Sequence, residues 1–184
     1  MLETARLILR RMDERDVDRI YRMRSDAEVM RFIREPQSFN ESINWLKLVS
    51  SRWENEKIGF CALFEKSSEE FIGWCGIWTL KETSELEIGY AIAKEFWGKG
   101  FAAEAAFEFL RYAFEDLKYD KIVAVATPEN TASRRVMEKL GMQYDCTGEF
   151  YGRELVHYSI TKKKFTQSRQ DKRDKNCLNF AYPI

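Results

Sequence analysis

Two glycines separated by one residue stand directly before a helical pattern, and this segment is the part of the chain best suited to bind a ligand. Residues 97–103 read WGKGFAA. Gly98 and Gly100 allow a tight turn, and the first turn of the following helix has N–H groups without internal acceptors. Such a helix end binds anions, and Lys99 adds positive charge beside it. The pattern indicates a phosphorylated cofactor; the alternative is a tight strand-to-helix connection without a ligand.

The same loop also fits the G-x-G-x-x-A pattern of dinucleotide-binding proteins, with Gly98, Gly100 and Ala103 at the fixed positions. A Rossmann domain places this loop after the first of several parallel strands and follows it with a ribose-binding acid. Here the loop follows an expected antiparallel meander, and one crossover helix and one further parallel strand remain, with Glu129 as a candidate acid. An NAD-dependent oxidoreductase is therefore the less favoured alternative.

Candidate nucleophiles and metal ligands are sparse elsewhere. Cys61, Cys75, Cys146 and Cys177 are scattered without a C-x-x-C pair, and His157 is the only histidine. We expect reduced thiols in or near the core, no metal site and no disulfide framework. A Ser-His-Asp or Cys-His hydrolase would have to use His157, which as a lone strand histidine is more simply structural.

The composition is that of one folded domain. The 184 residues are 45% hydrophobic and 33% charged, with 9 Gly and 3 Pro, which excludes disordered and low-complexity classes. Thirty basic residues balance thirty acidic ones, so we expect no membrane partner, and nucleic acid is not favoured as the main partner; any such contact must be local. No apolar run approaches the ~18 to 20 residues of a membrane span, and the N-terminus lacks a signal-peptide pattern. We expect a cytoplasmic protein.

The periodicity of the chain places the glycine loop between a meander and a long helix. A strand opens the chain and is followed by two amphipathic helices, the second behind a capping box formed by Ser38 and Glu41. The most regular helical stripe runs from residue 102 to 117, and a further helix stops at Gly141. The predicted strands cover residues 7–10, 58–64, 71–80, 86–92, 122–126, 143–148 and 155–161.

Three segments in this order resemble the GNAT superfamily of acyl-CoA-dependent N-acetyltransferases, closest to its RimJ/RimL-like branch. They are EIGYAI at 87–92, FWGKGFAAEA at 96–105, and NTAS at 130–133 followed by EKLGM at 138–142. The resemblance implies a single domain over residues 1–165 with an α+β fold. Its central sheet would be mixed and mostly antiparallel, flanked by helices, and splayed between strands four and five to hold acetyl-CoA.

The resemblance also implies how the cosubstrate is held. The fourth strand would offer backbone groups to the pantetheine and acetyl carbonyl, the glycine loop would hold the pyrophosphate, and the later helix would contact the pantetheine arm. The implied cofactor-binding residues are Tyr90, Ala91, Ile92, Gly98, Lys99, Gly100, Phe101, Ala102, Ala103, Asn130 and Ser133.

For catalysis, the resemblance implies acetyl transfer to a primary amine, either a protein N-terminal α-amine or a small-molecule amine, by direct attack in a ternary complex. Glu87 is the candidate general base; the alternative is a cross-strand ion pair. A backbone N–H near Ala91 would stabilise the oxyanion. Many relatives carry a tyrosine acid where this chain has Met137, so Ser133 is the candidate proton relay to the thiolate, with helix capping as its alternative.

Two further questions stay open from the sequence. The departure at Met137 leaves room for a catalytically silent acyl-CoA-binding regulatory module, and a homodimer is left open. Residues 166–184 are expected to form a polar, basic, solvated tail with a short apolar C-terminus that docks on the domain.

Overall fold

The computed structural model describes residues 2–179, and the side chains of residues 2–170. Eight strands of the described chain form one sheet, and helices cover both of its faces. The strands are β1 Leu2–Glu3, β2 Leu7–Arg11, β3 Phe60–Glu65, β4 Phe71–Thr79, β5 Leu86–Ile92, β6 Lys121–Ala126, β7 Gln143–Phe150 and β8 Arg153–Thr161. The α-helices are α1 Val17–Arg24, α2 Ala27–Met30, α3 Phe39–Glu56, α4 Phe101–Arg111, α5 Thr131–Lys139 and α6 Lys162–Asn179.

The sheet opens between β5 and β6. Its order is β1-β2-β3-β4-β5-β6-β8-β7, and every pairing is antiparallel except that of β5 with β6. These two strands share one registered pair, Glu87 with Val123, whereas β4 and β5 are paired along the whole of β5. The expected α+β fold is confirmed. Because β1 was not predicted, the expected fourth and fifth strands are β5 and β6 of the structure. A single parallel pairing within residues 2–179 does not support the Rossmann alternative.

The capping box predicted for α3 is present. The Ser38 hydroxyl accepts a hydrogen bond from the Glu41 N–H at 3.3 Å, and the Glu41 carboxylate accepts one from the Ser38 N–H at 2.7 Å. Two N–H groups at the start of the helix are thereby satisfied. The apolar stripe behind the cap, which includes Val49 and Trp53, is buried against the sheet.

Strand β5 presents two different faces, as its alternating sequence predicts. Glu87, Gly89 and Ala91 lie on one face, which we call the α3 face, because Trp74 pairs with Ala91 and contacts Trp45 of α3. The residues between them lie on the opposite face, called the α5 face, where the side chain of Tyr90 reaches α5. One strand therefore contributes to two separate environments.

The segment expected to be a polar tail from residue 166 continues the helix α6, which begins at Lys162 and is docked on the domain just before that segment. Phe165 of α6 is only 1% exposed, and its ring lies 5.1 Å from that of Phe107 and 5.2 Å from that of Phe114. One buried aromatic residue among polar neighbours gives little periodic signal, so the sequence analysis did not predict this helix. The predicted docking of residues 177–184 lies outside the described side chains.

Two of the cysteines match the expected buried thiols. Cys61 and Cys75 are buried register partners on β3 and β4, and burial raises the pKa of Cys61 to about 12. Cys146 corrects the expectation, because it is exposed on the edge strand β7. The side chain of Cys177 lies outside the described residues. No helix among residues 2–179 is long and apolar enough to cross a bilayer.

Candidate active site

A cleft of about 450 Å³ lies where the sheet opens, bounded by β5, the glycine loop, α5 and residues 28–33. Most of the residues predicted to bind the cosubstrate line it. Lys99 does not line the cleft, and its ammonium lies over the Phe96 ring at 4.7 Å. Glu87 does not line the cleft either. The predicted residues that do are Tyr90, Ala91, Ile92, Gly98, Gly100, Phe101, Ala102, Ala103, Asn130 and Ser133.

The N-terminus of α4 points an uncapped helix end into this cleft. Gly98 and Gly100 have φ angles of 76° and 83°, in the left-handed region that favours glycine. No side chain caps α4, and a Cβ at Gly98 would meet nothing within 4 Å. The free N–H groups of the first turn and the positive end of the helix dipole therefore face open space of a size that suits a phosphate.

Arg6 braces the loop from the other end of the chain. Its guanidinium donates to the Lys99 carbonyl at 3.0 Å, forms an ion pair with Glu104 at 2.6 Å and lies over the Phe101 ring at 4.4 Å. Burial raises the pKa of Glu104, but hydrogen bonds from Thr4 and Arg6 outweigh it and lower the pKa overall. Sequence reasoning missed this contact, because nearly a hundred residues separate its partners and no local pattern links them.

The backbone of β5 is open toward the cleft at alternate residues. The Ala93 N–H donates to the Ile72 carbonyl of β4 at 2.8 Å. Because strand residues alternate in direction and the β4–β5 register is unbroken, the backbone of Ala91 also faces β4, while that of Tyr90 and Ile92 faces the opening. The N–H groups available to an oxyanion are therefore those of Tyr90 and Ile92 rather than that of Ala91 itself.

The carbonyl of Ile92 already has one partner. The Trp97 indole N–H donates to it at 2.6 Å, while the Trp97 side chain remains 46% exposed. A carbonyl oxygen has a second lone pair, so it can still accept a hydrogen bond from a ligand. The indole fixes the end of β5 relative to the glycine loop.

Tyr90, Ser133 and Asn130 form one hydrogen-bonded group across the cleft. The Tyr90 hydroxyl donates to the Ser133 carbonyl at 3.1 Å and lies 3.0 Å from the Ser133 hydroxyl. The Asn130 side chain caps α5 by accepting from the Ser133 N–H at 3.1 Å. Burial raises the pKa of Tyr90, so its hydroxyl keeps its proton at neutral pH. Met137 is 1% exposed in the core and does not line the cleft.

Glu87 lies at the point where β5 and β6 diverge, on the α3 face. Burial raises the pKa of its carboxyl to about 7, and repulsion from Glu82 acts in the same direction. A hydrogen bond donated by the Tyr151 hydroxyl to Oε2 at 2.5 Å and one from the Val125 N–H oppose this shift. Within the described residues no cation forms an ion pair with Glu87, so the observed geometry differs from the ion-pair alternative.

Tyr151 reaches Glu87 from the turn between β7 and β8. This turn and the first residue of β8 contact the other side of the opening, since the Tyr151 N–H donates to Glu82 at 2.6 Å and Arg153 donates to the Ile33 carbonyl at 2.8 Å. Tyr151 carries no local signal in the sequence, because only the folded chain brings it beside a residue 64 positions earlier.

An aromatic row extends along the α3 face next to β5. Its neighbouring ring centroids are 5.5 to 5.7 Å apart. Trp78 is the register partner of Glu87, and Trp74 is the register partner of Ala91. The row consists of Trp45, Phe60, Trp74 and Trp78.

His157 occupies a separate polar pocket of the sheet. It is buried with Nδ1 at 3.1 Å from Asp145 and Nε2 at 3.5 Å from Glu85, and its ring stacks on Phe150. It does not line the cleft. This placement agrees with the structural interpretation of the lone histidine.

A family model described as the acetyltransferase (GNAT) domain matches residues 6–143, most of the chain. The chain belongs to the GNAT family. The GNAT resemblance read from the sequence is thereby confirmed, and the protein is an N-acetyltransferase that transfers an acetyl group to an amine.

Curated relatives of this GNAT acetyltransferase include proteins of two Bacillus species. YkkB of Bacillus subtilis is 32% identical over 85% of this chain and 93% of its own length. A protein of Bacillus licheniformis named the uncharacterized N-acetyltransferase p20 is 31% identical over 77% of this chain and 82% of its own length.

Solved structures share the fold at lower identity. The acetyltransferase from Agrobacterium tumefaciens is 24% identical, with a TM-score of 0.77 over 86% of this chain and 92% of that one. RimL, described as a ribosomal L7/L12 alpha-N-protein acetyltransferase in complex with coenzyme A, is 15% identical, with a TM-score of 0.74 over 86% of this chain and 95% of that one.

Proposed function

We propose that this GNAT acetyltransferase transfers the acetyl group of acetyl-CoA to a primary amine by direct attack in a ternary complex, with Glu87 as the general base. The observation that carries the proposal is the opening of the sheet at Glu87, which leaves backbone groups of β5 without a strand partner beside an uncapped helix end. An extended amide-bearing ligand can pair with such an edge as an added strand does.

The cleft offers groups for two parts of acetyl-CoA, its pyrophosphate and its pantetheine arm. Its uncapped α4 N-terminus fits a pyrophosphate, and the open edge of β5 fits the pantetheine amides. When bound, acetyl-CoA supplies an activated thioester. The N–H groups of Tyr90 and Ile92 then face the place where negative charge develops on the acetyl oxygen, and stabilise that charge.

Glu87 removes the proton from the attacking amine, directly or through a water. A base with a pKa of about 7 is substantially ionised at neutral pH and still basic enough to accept a proton. The hydrogen bonds from Tyr151 and the Val125 N–H fix the orientation of the carboxylate, whose remaining lone pairs can face the amine.

Ser133 delivers a proton to the departing thiolate, with Tyr90 holding its hydroxyl. The two hydroxyls are 3.0 Å apart and both residues line the cleft. Because the Tyr90 hydroxyl retains its proton, the pair can act as a relay where Met137 has none to give. The capping of α5 is done by Asn130, so the Ser133 side chain is free for this role.

The acceptor is a protein N-terminal α-amine or a small-molecule amine. RimL, a fold neighbour, is described as acting on the N-terminus of a ribosomal protein. A transacetylase of Aspergillus fumigatus, 28% identical over 92% of this chain and 79% of its own length, carries a name that describes an N(2)-transacetylase. The RimJ/RimL-like branch, a cytoplasmic location and a homodimer stay predictions of the sequence.

The test is calorimetric titration with acetyl-CoA and NAD, followed by CoA release with a panel of small amines and peptides with free N-termini. We expect saturable acetyl-CoA binding, no NAD binding, and turnover with at least one free amine but not with N-acetylated versions of the same acceptors. Binding without turnover across the panel would favour a silent acyl-CoA-binding module, and no acetyl-CoA binding by folded protein would overturn the proposal.

A further inference from the structure

A buried guanidinium without a carboxylate partner lies at the end of the aromatic row. Arg24 of α1 is 3% exposed, and its guanidinium carbon is 4.2 Å from the centre of the Trp45 ring. One guanidinium nitrogen donates to the Gln37 side chain, and Nε is buried with no acceptor among the described residues. A buried charge normally has an opposite charge or a full set of hydrogen bonds.

The charged groups around Arg24 do not neutralise it. Arg34 is an exposed second cation that repels it, and the attraction of Glu41 acts from beyond ion-pair distance. The Glu41 carboxylate is already bound to Ser38 at the start of α3. Burial lowers the pKa of Arg24 to about 10, so the group remains charged at neutral pH. The result is a site with uncompensated positive charge.

This positive site and Glu87 lie at opposite ends of the aromatic row. From Arg24 the aromatic row continues through Trp45 to Phe60 and then to Trp78, the register partner of Glu87. Trp45 also contacts Trp74, which pairs with Ala91 at the cleft. A molecule lying along the row would place one end at the proposed base and the other at the guanidinium.

We propose that the acceptor is an amine that also carries a carboxylate, and that Arg24 is the specificity-determining residue that binds this carboxylate. The inference rests on the proposed function, because it takes Glu87 as the place where the amine reacts. A carboxylate would supply the acceptor that Nε lacks, and guanidinium groups bind carboxylates with two parallel hydrogen bonds. The rings between the two charges bind the apolar part of the acceptor, and Arg34 adds to the attraction.

The carboxylate has two sources that share this chemistry. It is either the acid of a small linear amine or an acidic side chain close to the start of a peptide. Two matched pairs of acceptors separate them: a linear amino acid against its amide, and a hexapeptide with glutamate at positions two and three against the same peptide with glutamine there.

The experiment measures kcat and KM by CoA release for both pairs with wild type, Arg24→Gln, Arg24→Lys and the control Arg22→Gln, which removes an exposed cation from the same helix. We expect wild type to favour the acidic member of one pair by at least about tenfold in kcat/KM. Arg24→Gln should abolish that preference by raising KM for the acidic acceptor, Arg24→Lys should restore part of it, and Arg22→Gln should resemble wild type.

Thermal unfolding and acetyl-CoA titration of each variant separate specificity from folding. Equal kcat/KM for the acidic and amide members of both pairs in wild type would overturn the inference while leaving the proposed function intact. A loss with Arg24→Gln that is equal for acidic and neutral acceptors would also overturn it, since that result is expected of a structural residue. Absence of turnover with every amine would instead contradict the proposed function.

Discussion

The cleft and the α3 face of β5 are built in different ways. In the cleft, the groups suited to the cosubstrate are mostly backbone atoms within one short stretch, residues 90–103, completed by the first turn of α5. On the α3 face, the groups suited to the acceptor are side chains contributed by α1, α3, β3, β4, β5 and the β7–β8 turn. A site made of local backbone is robust to most substitutions, whereas a site made of distant side chains can change with each of them.

This difference implies that an acceptor site can change more readily than a cosubstrate site. The proposed phosphate site is most directly lost by changes that fill the glycine loop or repel a phosphate. The α3 face can be altered at single side chains that lie outside this loop. Substitutions in the glycine loop and at Glu87 should therefore separate binding of acetyl-CoA from turnover.

The largest effect should come from Gly100→Glu, which places bulk and negative charge at the uncapped end of α4. We expect the Kd for acetyl-CoA, measured by calorimetry, to rise at least about a hundredfold. The control is Gly152→Glu, which adds the same side chain at another glycine with a positive φ of 68° and open space around it. Near wild-type affinity in a folded Gly100→Glu protein would remove the loop as the phosphate site.

The next effect concerns the α3 face. Glu87→Gln removes the proposed base, and we expect kcat to fall by about a hundredfold with little change in the Kd for acetyl-CoA. In wild type, kcat/KM should rise with pH through about 7 as the carboxyl ionises, and this step should vanish in the variant. Glu85→Gln, at the residue just before β5, is the matched control. A pH-rate profile unchanged by Glu87→Gln would exclude Glu87 as the base.

The same carboxyl should affect stability. The folded-state pKa of Glu87 is raised from 4.5 to about 7, so the folded protein holds this proton more tightly than the unfolded chain. Stability should therefore decrease as the pH rises through this window, by about 2 kcal/mol once the partial exposure of the group is discounted. Urea unfolding at pH 5 and pH 8 should show wild type losing this amount relative to Glu87→Gln. Identical pH dependences would contradict the raised pKa.

A smaller effect should come from the Tyr90–Ser133 pair in the cleft. Tyr90→Phe removes the hydroxyl that contacts Ser133, and we expect kcat to fall about tenfold while the Kd for acetyl-CoA changes less than about threefold. Ser133→Ala should have a similar effect, and the double variant should be no worse than either, because the pair acts as one unit. Fully additive losses would show that the two hydroxyls act separately. Tyr119→Phe, an exposed tyrosine, is the control.

The smallest effect should come from the brace of the glycine loop. Arg6→Gln removes a partly exposed ion pair with Glu104, a type of contact worth about 1 kcal/mol or less. We expect the Kd for acetyl-CoA to rise about threefold with kcat unchanged. Arg22→Gln should leave both constants at wild-type values, and equal behaviour of the two variants would show that the brace is dispensable.

The sequence predicted most of the fold because most elements carry local signals. The capping box of Ser38 and Glu41, the stripe of α4 and the alternation of β5 are each visible within a few residues. Helix α2 and strand β1 were not predicted, because four and two residues are too few for a periodic pattern. Helix α6 was not predicted, because Phe165 is the one aromatic residue of its described part that packs against buried rings.

The residues of the site likewise divide into those with a local sequence signal and those without one. The glycine loop and Asn130 were visible as motifs, because their function depends on backbone geometry that is encoded locally. Tyr151 and Arg24 carried no signal, because their importance arises only when the folded sheet brings them near β5. Sequence reasoning also placed the oxyanion donor near Ala91, and only the strand register separates that residue from its neighbours.

The indole of Trp97 is an intrinsic fluorescent probe at the cleft. It is the most exposed of the five tryptophans, it borders the cleft, and its N–H is bound to the last carbonyl of β5. The other four lie in buried or half-buried packing. A ligand that enters beside the glycine loop should change the solvent around this one ring, so the intrinsic fluorescence of the unlabelled protein can report occupancy of the cleft in real time.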